Sequence, residues 1–486
     1  MDSLQPVLAV LARVLMGFSF AYLVPLAWSL GAGDAANARV WGTGFILSLL
    51  AGWVLGRSVR HQGRELQPRD GFLLVTLVWI VLPACAAAPL MYTVPDLEWA
   101  DAYFEAMSGL TATGATALTG LDRLPLSVNI WRCFLQYIGG LGIILLVVAV
   151  LPLLGLGGMQ LYRAETPGPL KDDKLTPRIA ETARGLWTVY FTLSAACLLA
   201  YRLAGMDWPD AFMHMCTTMG LGGFSSHDAS FAHFDSALVE AVAIVFMTLA
   251  GVSFLRYFAV WRARSAGVLR SDAEVRAYLL VLLGGTLTVS FVLLAHDTYD
   301  TFPAALRAAA FHVVSLATTT GYASADYARW PAFAPVLMIF LGCFASCAGS
   351  TGGGIKMVRM LLLVKQARRE LVRIIHPRVV NPVTLGGATV PATVLAAVLA
   401  YMLIYGASII GLTLVMLLSG LDLVTAFSAV IVCVNNIGPG LGEVGPIGYF
   451  GVLNDFQLWV LSFAMLLGRL ELMSVLVLLT PQFWRK

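Results

Sequence analysis

The chain has 486 residues, 59% of them hydrophobic and only 12% charged, with a formal net charge of +3. Soluble proteins carry about 25% charged residues. The composition therefore excludes a soluble globular enzyme, gives no reason to expect a nucleic-acid partner, and describes an integral membrane protein in a lipid bilayer.

Taken in order, residues 4–30 and 40–56 are predicted as two membrane helices. Arg13 interrupts the first, and no small-residue cleavage site follows a basic start, so it reads as a retained helix rather than a removed signal. These two form an accessory pair over 1–70, closed by a polar stretch with Arg57, Arg60, Arg64 and Arg69. Four units of similar layout follow. The first, 71–160, is predicted as a helix over 71–92, a short helix over 99–110, a turn at Thr111–Thr116 and a helix over 129–155. A polar loop with Arg163, Lys171, Lys174, Arg178 and Arg184 leads to the second unit, 184–265, read as 185–205, 208–219, a turn at Gly220–Ser225 and 235–260. Arg262, Arg264, Arg270 and Arg276 precede the third, 277–378, read as 277–296, 303–317, a turn at Thr318–Tyr322 and 331–364. Lys365, Arg368, Arg369, Arg373 and Arg378 precede the fourth, 389–486, read as 389–418, 422–433, a turn at Val434–Gly440 and 455–480.

The units are copies of one another. Phe104-Glu105-Ala106-Met107-Ser108-Gly109-Leu110-Thr111-Ala112-Thr113-Gly114 aligns without a gap on the stretch from Phe311 to Gly321, more loosely on that from Met213 to Gly223, and faintly on Ser428 to Gly438. The four glycines recur roughly every 100 to 120 residues, a period that marks an internally repeated architecture. A short helix of about 12 residues reaches only about 18 Å, whereas the hydrocarbon core is about 30 Å thick. Each such helix is therefore expected to enter the membrane and stop partway. Its C-terminal end carries partial negative charge and favours a cation. Irregular backbone at that depth survives only where it lines a protein-enclosed or watery cavity. Four such turns around one axis make a ring of carbonyls able to replace an ion's water shell.

The basic loops are every second loop, and the loops holding the turns carry few cations, chiefly Arg123, Arg132 and Arg329. By the positive-inside rule both termini are cytoplasmic and the turns dip in from outside. Thr111, Gly220, Thr318 and Asn435 stand three residues before the key glycine. Ala112, Leu221, Thr319 and Asn436 stand two before, and Thr113, Gly222, Thr320 and Ile437 one before. The absence of Asp or Glu at these places suits a monovalent cation rather than a divalent one.

Glu105, His214 and His312 share one register in the first three short helices. They either shape the field near the turns or fasten the short helices to their neighbours, and the fastening role is preferred. Asp101, Asp210, Asp228 and Asp326 are expected near the outer mouth, as solvated acids or as cation concentrators. Gly349, Gly352, Gly353, Gly354 and Lys356 interrupt the third unit's last helix, where consecutive glycines break a helix and make either a kink or a flexible gate. The frame is wrong for a phosphate-binding loop. Arg469 lies within the last apolar helix, and a charge there marks a pathway or an ion pair. Glu471, two residues on, does not share its helix face. The seven cysteines, Cys85, Cys133, Cys197, Cys216, Cys343, Cys347 and Cys433, lie in apolar runs and are expected as free buried thiols. An embedded enzyme would need clustered carboxylates, His ligands or a nucleophile at one depth, and the histidines are scattered. A secondary transporter of another monovalent cation, coupled to sodium or protons, is the alternative, but it usually buries more ionisable groups than Arg469 and Glu471 provide.

At Ser108–Thr116, Gly222-Gly223-Phe224-Ser225, Thr319-Thr320-Gly321-Tyr322, Asn435–Gly442, Ala348–Lys356 and Gly468–Leu472 the chain resembles the Trk/Ktr/HKT superfamily of potassium transporters, in its TrkH/TrkG branch. The resemblance covers essentially the whole chain. It implies an all-α membrane fold of four M1–pore helix–M2 repeats in pseudo-fourfold array around one pore plus the N-terminal pair, about ten spanning helices, in a homodimer in the bacterial inner membrane. It implies filter glycines at Gly114, Gly223, Gly321 and Gly438, with Gly223 chosen over Gly222 because an aromatic follows it. In this family a glycine in the first repeat goes with potassium and a serine with sodium. It implies an intramembrane gate at the glycine loop and Arg469. It also implies a cytoplasmic TrkA-type regulatory ring that binds NAD(H) and ATP, so that this chain carries no cofactor beyond the transported potassium ion.

Overall fold

The computed structural model describes residues 4–59, 67–149 and 175–485. The expected loop cations Arg60, Arg64, Arg163, Lys171 and Lys174, the end of the helix expected over 129–155, and Lys486 lie outside the described residues. Among those described, six helices are long and apolar enough to cross a membrane: Gln5–Gly31, Ala35–Ser58, Arg69–Thr93, Thr182–Leu203, Ala273–Ala295 and Ala392–Leu418. Two bent pairs, Ala237–Ala250 with Phe254–Ala263 and Asp455–Arg469 with Met473–Leu479, pass the same test together.

Between the long helices lie the four short ones, Trp99–Leu110, Trp208–Gly220, Phe302–Ala317 and Leu423–Val434. Their burial differs from that of the long helices for a physical reason. Every residue from Ala102 to Leu110, and from Phe311 to Ala317, is buried, because those stretches are enclosed by protein, although the fourth short helix leaves Leu423, Val424 and Phe427 exposed near its start. The long helices instead expose Leu199, Leu203, Leu280, Phe291, Leu403, Ile410 and Leu418. A continuous apolar exterior of that extent belongs against lipid. Asp207 and Asp422 cap two of the short helices by accepting from Asp210 N–H (2.8 Å) and Thr425 N–H (3.1 Å). All seven cysteines are free.

Two helices expected as continuous are broken. The span expected over 235–260 bends by 83° at Gly251–Ser253, and that over 455–480 by 109° at Leu470–Leu472. In the third unit the helix Phe333–Gly342 ends before the glycine loop, and a basic helix, Met357–Ile375, begins after Lys356. A small hairpin, Thr384–Leu385 with Ala388–Thr389, turns on Gly386 and Gly387, both at positive φ. The accessory pair packs on the first unit's long helices. Its Tyr22 stacks on Trp131 (ring centroids 4.6 Å apart) and donates to Cys85 O (2.8 Å).

Candidate functional site: a ring of four glycine turns

The four short helices end in one and the same closure. In the first, Thr113 N–H donates to Ser108 O (2.9 Å) and Ala112 N–H to Gly109 O (3.0 Å). The matching bonds run from Gly222 to Thr217 and Leu221 to Thr218, from Thr320 to Ser315 and Thr319 to Leu316, and from Ile437 to Val432 and Asn436 to Cys433. This Schellman pattern requires a left-handed residue at its fifth position. Ala112 (φ +50°), Leu221 (+53°), Thr319 (+63°) and Asn436 (+54°) occupy it. The left-handed conformation costs a residue with a side chain roughly 1–2 kcal/mol, and only asparagine eases it. Strain kept at four matched positions is the kind that clusters at functional sites. Two residues later come Gly114 (+86°), Gly223 (+77°), Gly321 (+87°) and Gly438 (+103°); in the second turn it is Gly223, not Gly222, that is left-handed.

These glycines face each other's backbone in a closed cycle. A Cβ on Gly114 would stand closer than 3.0 Å to Gly222 O, one on Gly223 to Thr320 O, one on Gly321 to Ile437 O, and one on Gly438 to Thr113 O. The carbonyl before each glycine thus packs on the glycine of the preceding turn, and the fourth returns to the first. A side chain at any of the four would force the backbone facing it to shift. Hydroxyls and amides tie the underside. Thr111 Oγ1 bonds Thr113 Oγ1 (2.7 Å), Thr318 Oγ1 bonds Thr320 Oγ1 (2.8 Å), and Asn436 Nδ2 donates to Thr113 Oγ1 (2.9 Å) across the fourth and first turns. Asn435 Oδ1 accepts from Tyr405 (3.0 Å).

Behind the ring, the shared register of Glu105, His214 and His312 fastens each short helix to the chain that follows its turn. Glu105 accepts from Ala117 N–H (2.8 Å), from Thr116 Oγ1 (3.0 Å) and from Arg132 Nε (2.7 Å). His214 bonds Ser225 Oγ (3.1 Å), and His312 Nε2 accepts from Ser324 N–H (3.2 Å). In the fourth turn Ser428 Oγ, one register position earlier, bonds Leu441 O (3.0 Å). Arg132, counted from sequence among the cations of the outer loops, is instead fully buried and reaches across to Ser225 O (3.1 Å), with its guanidinium 4.5 Å from the Phe224 ring. Gln136, one turn on, brackets the second turn by donating to Gly222 O (2.8 Å) and accepting from Phe224 N–H (3.1 Å). The sequence reading placed Arg132 in an outer loop and gave Gln136 no role. The available signal was two polar residues four apart on one face of an apolar helix. Tyr322 donates or accepts at Thr217 and Thr218 (3.0 Å) and donates to His214 O (3.2 Å), joining the third turn to the second.

The glycine loop lies directly against the ring. Gly353 N–H donates to Thr319 Oγ1 (2.8 Å), Thr351 Oγ1 donates to Met219 O (3.0 Å), and a Cβ on Gly353 would overlap Asn435 O. Gly349 O accepts from Phe254 N–H (3.1 Å), where the second unit's helix is broken. Lys356, at φ +76°, folds its ammonium back onto Gly352 O. Arg469 donates to Thr351 O and to Gly139 O (2.9 Å each), bridging the loop to the first unit's last helix. Glu471 turns away from Arg469 and pairs with Arg359 (2.6 Å).

On the opposite side of the ring a cleft of about 80 Å3 is lined by Gly114, Gly223, Gly321, Pro439, His227 and Asp228. Asp228 thus stands at this mouth, with Asp210 beside it through His227 (3.2 Å). Asp326 instead caps Ala328 N–H (3.2 Å) and pairs with Arg329 (2.9 Å). Burial alone would lower the His227 imidazole, but hydrogen bonds to Asp210 and Asp122 outweigh it and raise its pKa above the ordinary histidine value.

A lipid-facing exterior, half-length buried helices and an oxygen-lined ring at their ends together define a multi-pass helical membrane protein of the cation-transport class. Comparison narrows this. The family model TrkH, described as a cation transport protein, matches residues 39–486, and the chain belongs to that family, which is one of transporters rather than enzymes. It is 43% identical over 486 residues to the Trk system potassium uptake protein TrkH of Vibrio parahaemolyticus, covering 99% of each chain. It is 44% identical over 465 residues to the protein of the same name from Escherichia coli K12, covering 96% of this chain and 95% of that one. The crystal structure of the potassium transporter TrkH from Vibrio parahaemolyticus superposes with a TM-score of 0.91 at 40% identity, covering 99% of both chains.

Proposed function

We propose that this chain is the membrane subunit of a Trk-type potassium uptake system and that potassium crosses through the ring of glycine turns. The observation that carries this is the closed cycle of contacts from Gly114 through Gly223, Gly321 and Gly438 back to Thr113. Four backbone turns in one conformation, without a carboxylate among them, suit a weakly hydrated monovalent cation. Gly222 O, Thr320 O, Ile437 O and Thr113 O are the inner oxygens, with Thr111, Ala112, Gly220, Leu221, Thr318, Thr319, Asn435 and Asn436 completing the filter. On this reading the units 71–160, 184–265, 277–378 and 389–486 are four M1–pore helix–M2 repeats in pseudo-fourfold array, with 1–70 an accessory pair. The loop Gly349–Lys356, latched by Arg469, is the gate. The chain is a homodimer in the bacterial inner membrane with both termini cytoplasmic, and its basic loops dock a TrkA-type nucleotide-binding ring.

Potassium uptake by proteoliposomes, with rubidium and sodium as competitors, tests this on the wild type and on Gly114→Ser. Selective potassium or rubidium flux, altered by the substitution, is expected. Flux indifferent to Gly114→Ser contradicts the reading.

A further inference from the structure

Beside the cleft, outside the ring and its buttress, the first and second units join through a cluster of different chemistry. Asp122 sits in the turn Leu121–Arg123 and His233 ends the turn Ser230–His233. His227 lies between them. A carboxylate oxygen of Asp122 and one ring nitrogen from each histidine all lie within 4.8 Å of one another. The two imidazoles are stacked, centroids 3.4 Å apart, and His227 Nδ1 contacts Asp122 Oδ1.

The surroundings hold these groups in place. His227 Nε2–H donates to Asp210 Oδ2 (3.2 Å), and Ser226 Oγ donates to Asp210 Oδ1 (2.7 Å). Asp122 Oδ2 accepts from Asp228 N–H (3.2 Å), and Asp228 Oδ1 accepts from Leu121 N–H (3.2 Å). Asp210 thus fixes the imidazole orientation in which Nδ1, the atom facing Asp122, is the one offered outward. A carboxylate behind a histidine is the arrangement that orients and strengthens a metal-ligating imidazole.

We propose that Asp122, His227 and His233 bind a divalent transition-metal ion of the zinc type at the rim of the cleft, and that the bound ion slows the passage of monovalent cations. Two imidazoles and one carboxylate suit zinc, nickel or copper and do not suit magnesium or calcium, which take oxygen ligands. Zinc–nitrogen and zinc–oxygen bonds are about 2.0–2.2 Å, so the donor atoms must draw together. His233 is exposed, and a tilt of its ring off the stack brings its nitrogen in. The proton held between His227 Nδ1 and Asp122 leaves to bulk water, and water completes the coordination. Because His227 lines the cleft onto which Gly114, Gly223 and Gly321 open, a doubly charged ion there repels an approaching monovalent cation. The binding half stands on the cluster alone; the inhibitory half rests on the proposed function.

The experiment titrates zinc chloride into the full chain in detergent by calorimetry, with magnesium chloride as control, and measures rubidium uptake by proteoliposomes with and without zinc. The wild type is expected to bind one zinc per chain and to take up rubidium more slowly in its presence. His233→Gln and Asp122→Asn should weaken binding, and Asp210→Asn should do so by about 10- to 100-fold, the usual effect of losing such an outer partner. His233→Gln should keep the uptake rate and lose its zinc sensitivity. Equal zinc binding by the wild type, His233→Gln and Asp122→Asn overturns the site, as does equal binding of magnesium. Zinc binding without slowed uptake overturns the inhibitory half. If the wild type moves no rubidium yet binds zinc through these residues, the function fails and the site stands.

Discussion

Removing Arg132 should loosen the joint between the first and second turns, and the cost can be worked from its partners. Its side chain is 1% exposed and that of Glu105 0%, with Nε 2.7 Å from Oε1. Breaking such a buried pair by deleting one member costs about 3–5 kcal/mol, because the other charge stays buried and uncompensated. Arg132→Met also strips donors from Ser225 O, Asn129 Oδ1 and Thr116 Oγ1. Glu105→Gln keeps an acceptor for Ala117 N–H while removing the charge. The double variant should therefore be more stable than Arg132→Met alone, with a coupling of at least about 1 kcal/mol, as expected for residues in direct contact. The assay is thermal unfolding in one detergent at one scan rate, with the rubidium-to-sodium uptake ratio measured alongside. Both single variants should melt lower and lose selectivity. Strictly additive effects in the double variant, or an Arg132→Met protein with wild-type melting and selectivity, would show that the pair does not hold this joint.

Arg469→Ala removes the bonds to Thr351 O and Gly139 O that tie the glycine loop to the first unit's last helix and should raise rubidium flux measured without any partner protein; unchanged flux and gating would remove Arg469 from the pathway. Gly353→Ala forces a methyl group into Asn435 O and should change uptake while leaving the exterior helices intact, as read by flux and circular dichroism. Tyr322→Phe deletes a buried hydroxyl shared by Thr217, Thr218 and His214 O. It should destabilise by about 1–3 kcal/mol, seen as a lower melting temperature.

The half-length helices were legible because their pattern repeats. The first was expected over 99–110 and is Trp99–Leu110, and the third was expected over 303–317 and is Phe302–Ala317. The family resemblance, carried by the same turns, agrees with the match over residues 39–486. What local pattern could not give was the partner of each polar group. Glu105 and Arg132 are 27 residues apart, and nothing in periodicity says that this arginine turns inward while Arg123 does not. The reversal at Leu470–Leu472 has no proline or glycine of its own. The helix closes there on itself, Leu472 N–H donating to Leu467 O (2.8 Å) and Glu471 N–H to Gly468 O (3.3 Å), with Glu471 and Leu472 at positive φ and Glu471 paired with Arg359. The hairpin at Gly386-Gly387 was legible in principle, since a Gly-Gly pair is a strong two-residue turn signal, but it was hidden in a stretch read for charge alone.

If the cation path runs through the four turns, an ion should be caught between them. The most direct measurement is a structure determined in rubidium, with the anomalous signal used to locate the ion. Density is expected within the ring bounded by Thr113 O, Gly222 O, Thr320 O and Ile437 O, and is expected to be lost in Gly114→Ser. Rubidium density elsewhere in the protein, with none between the turns, would contradict it.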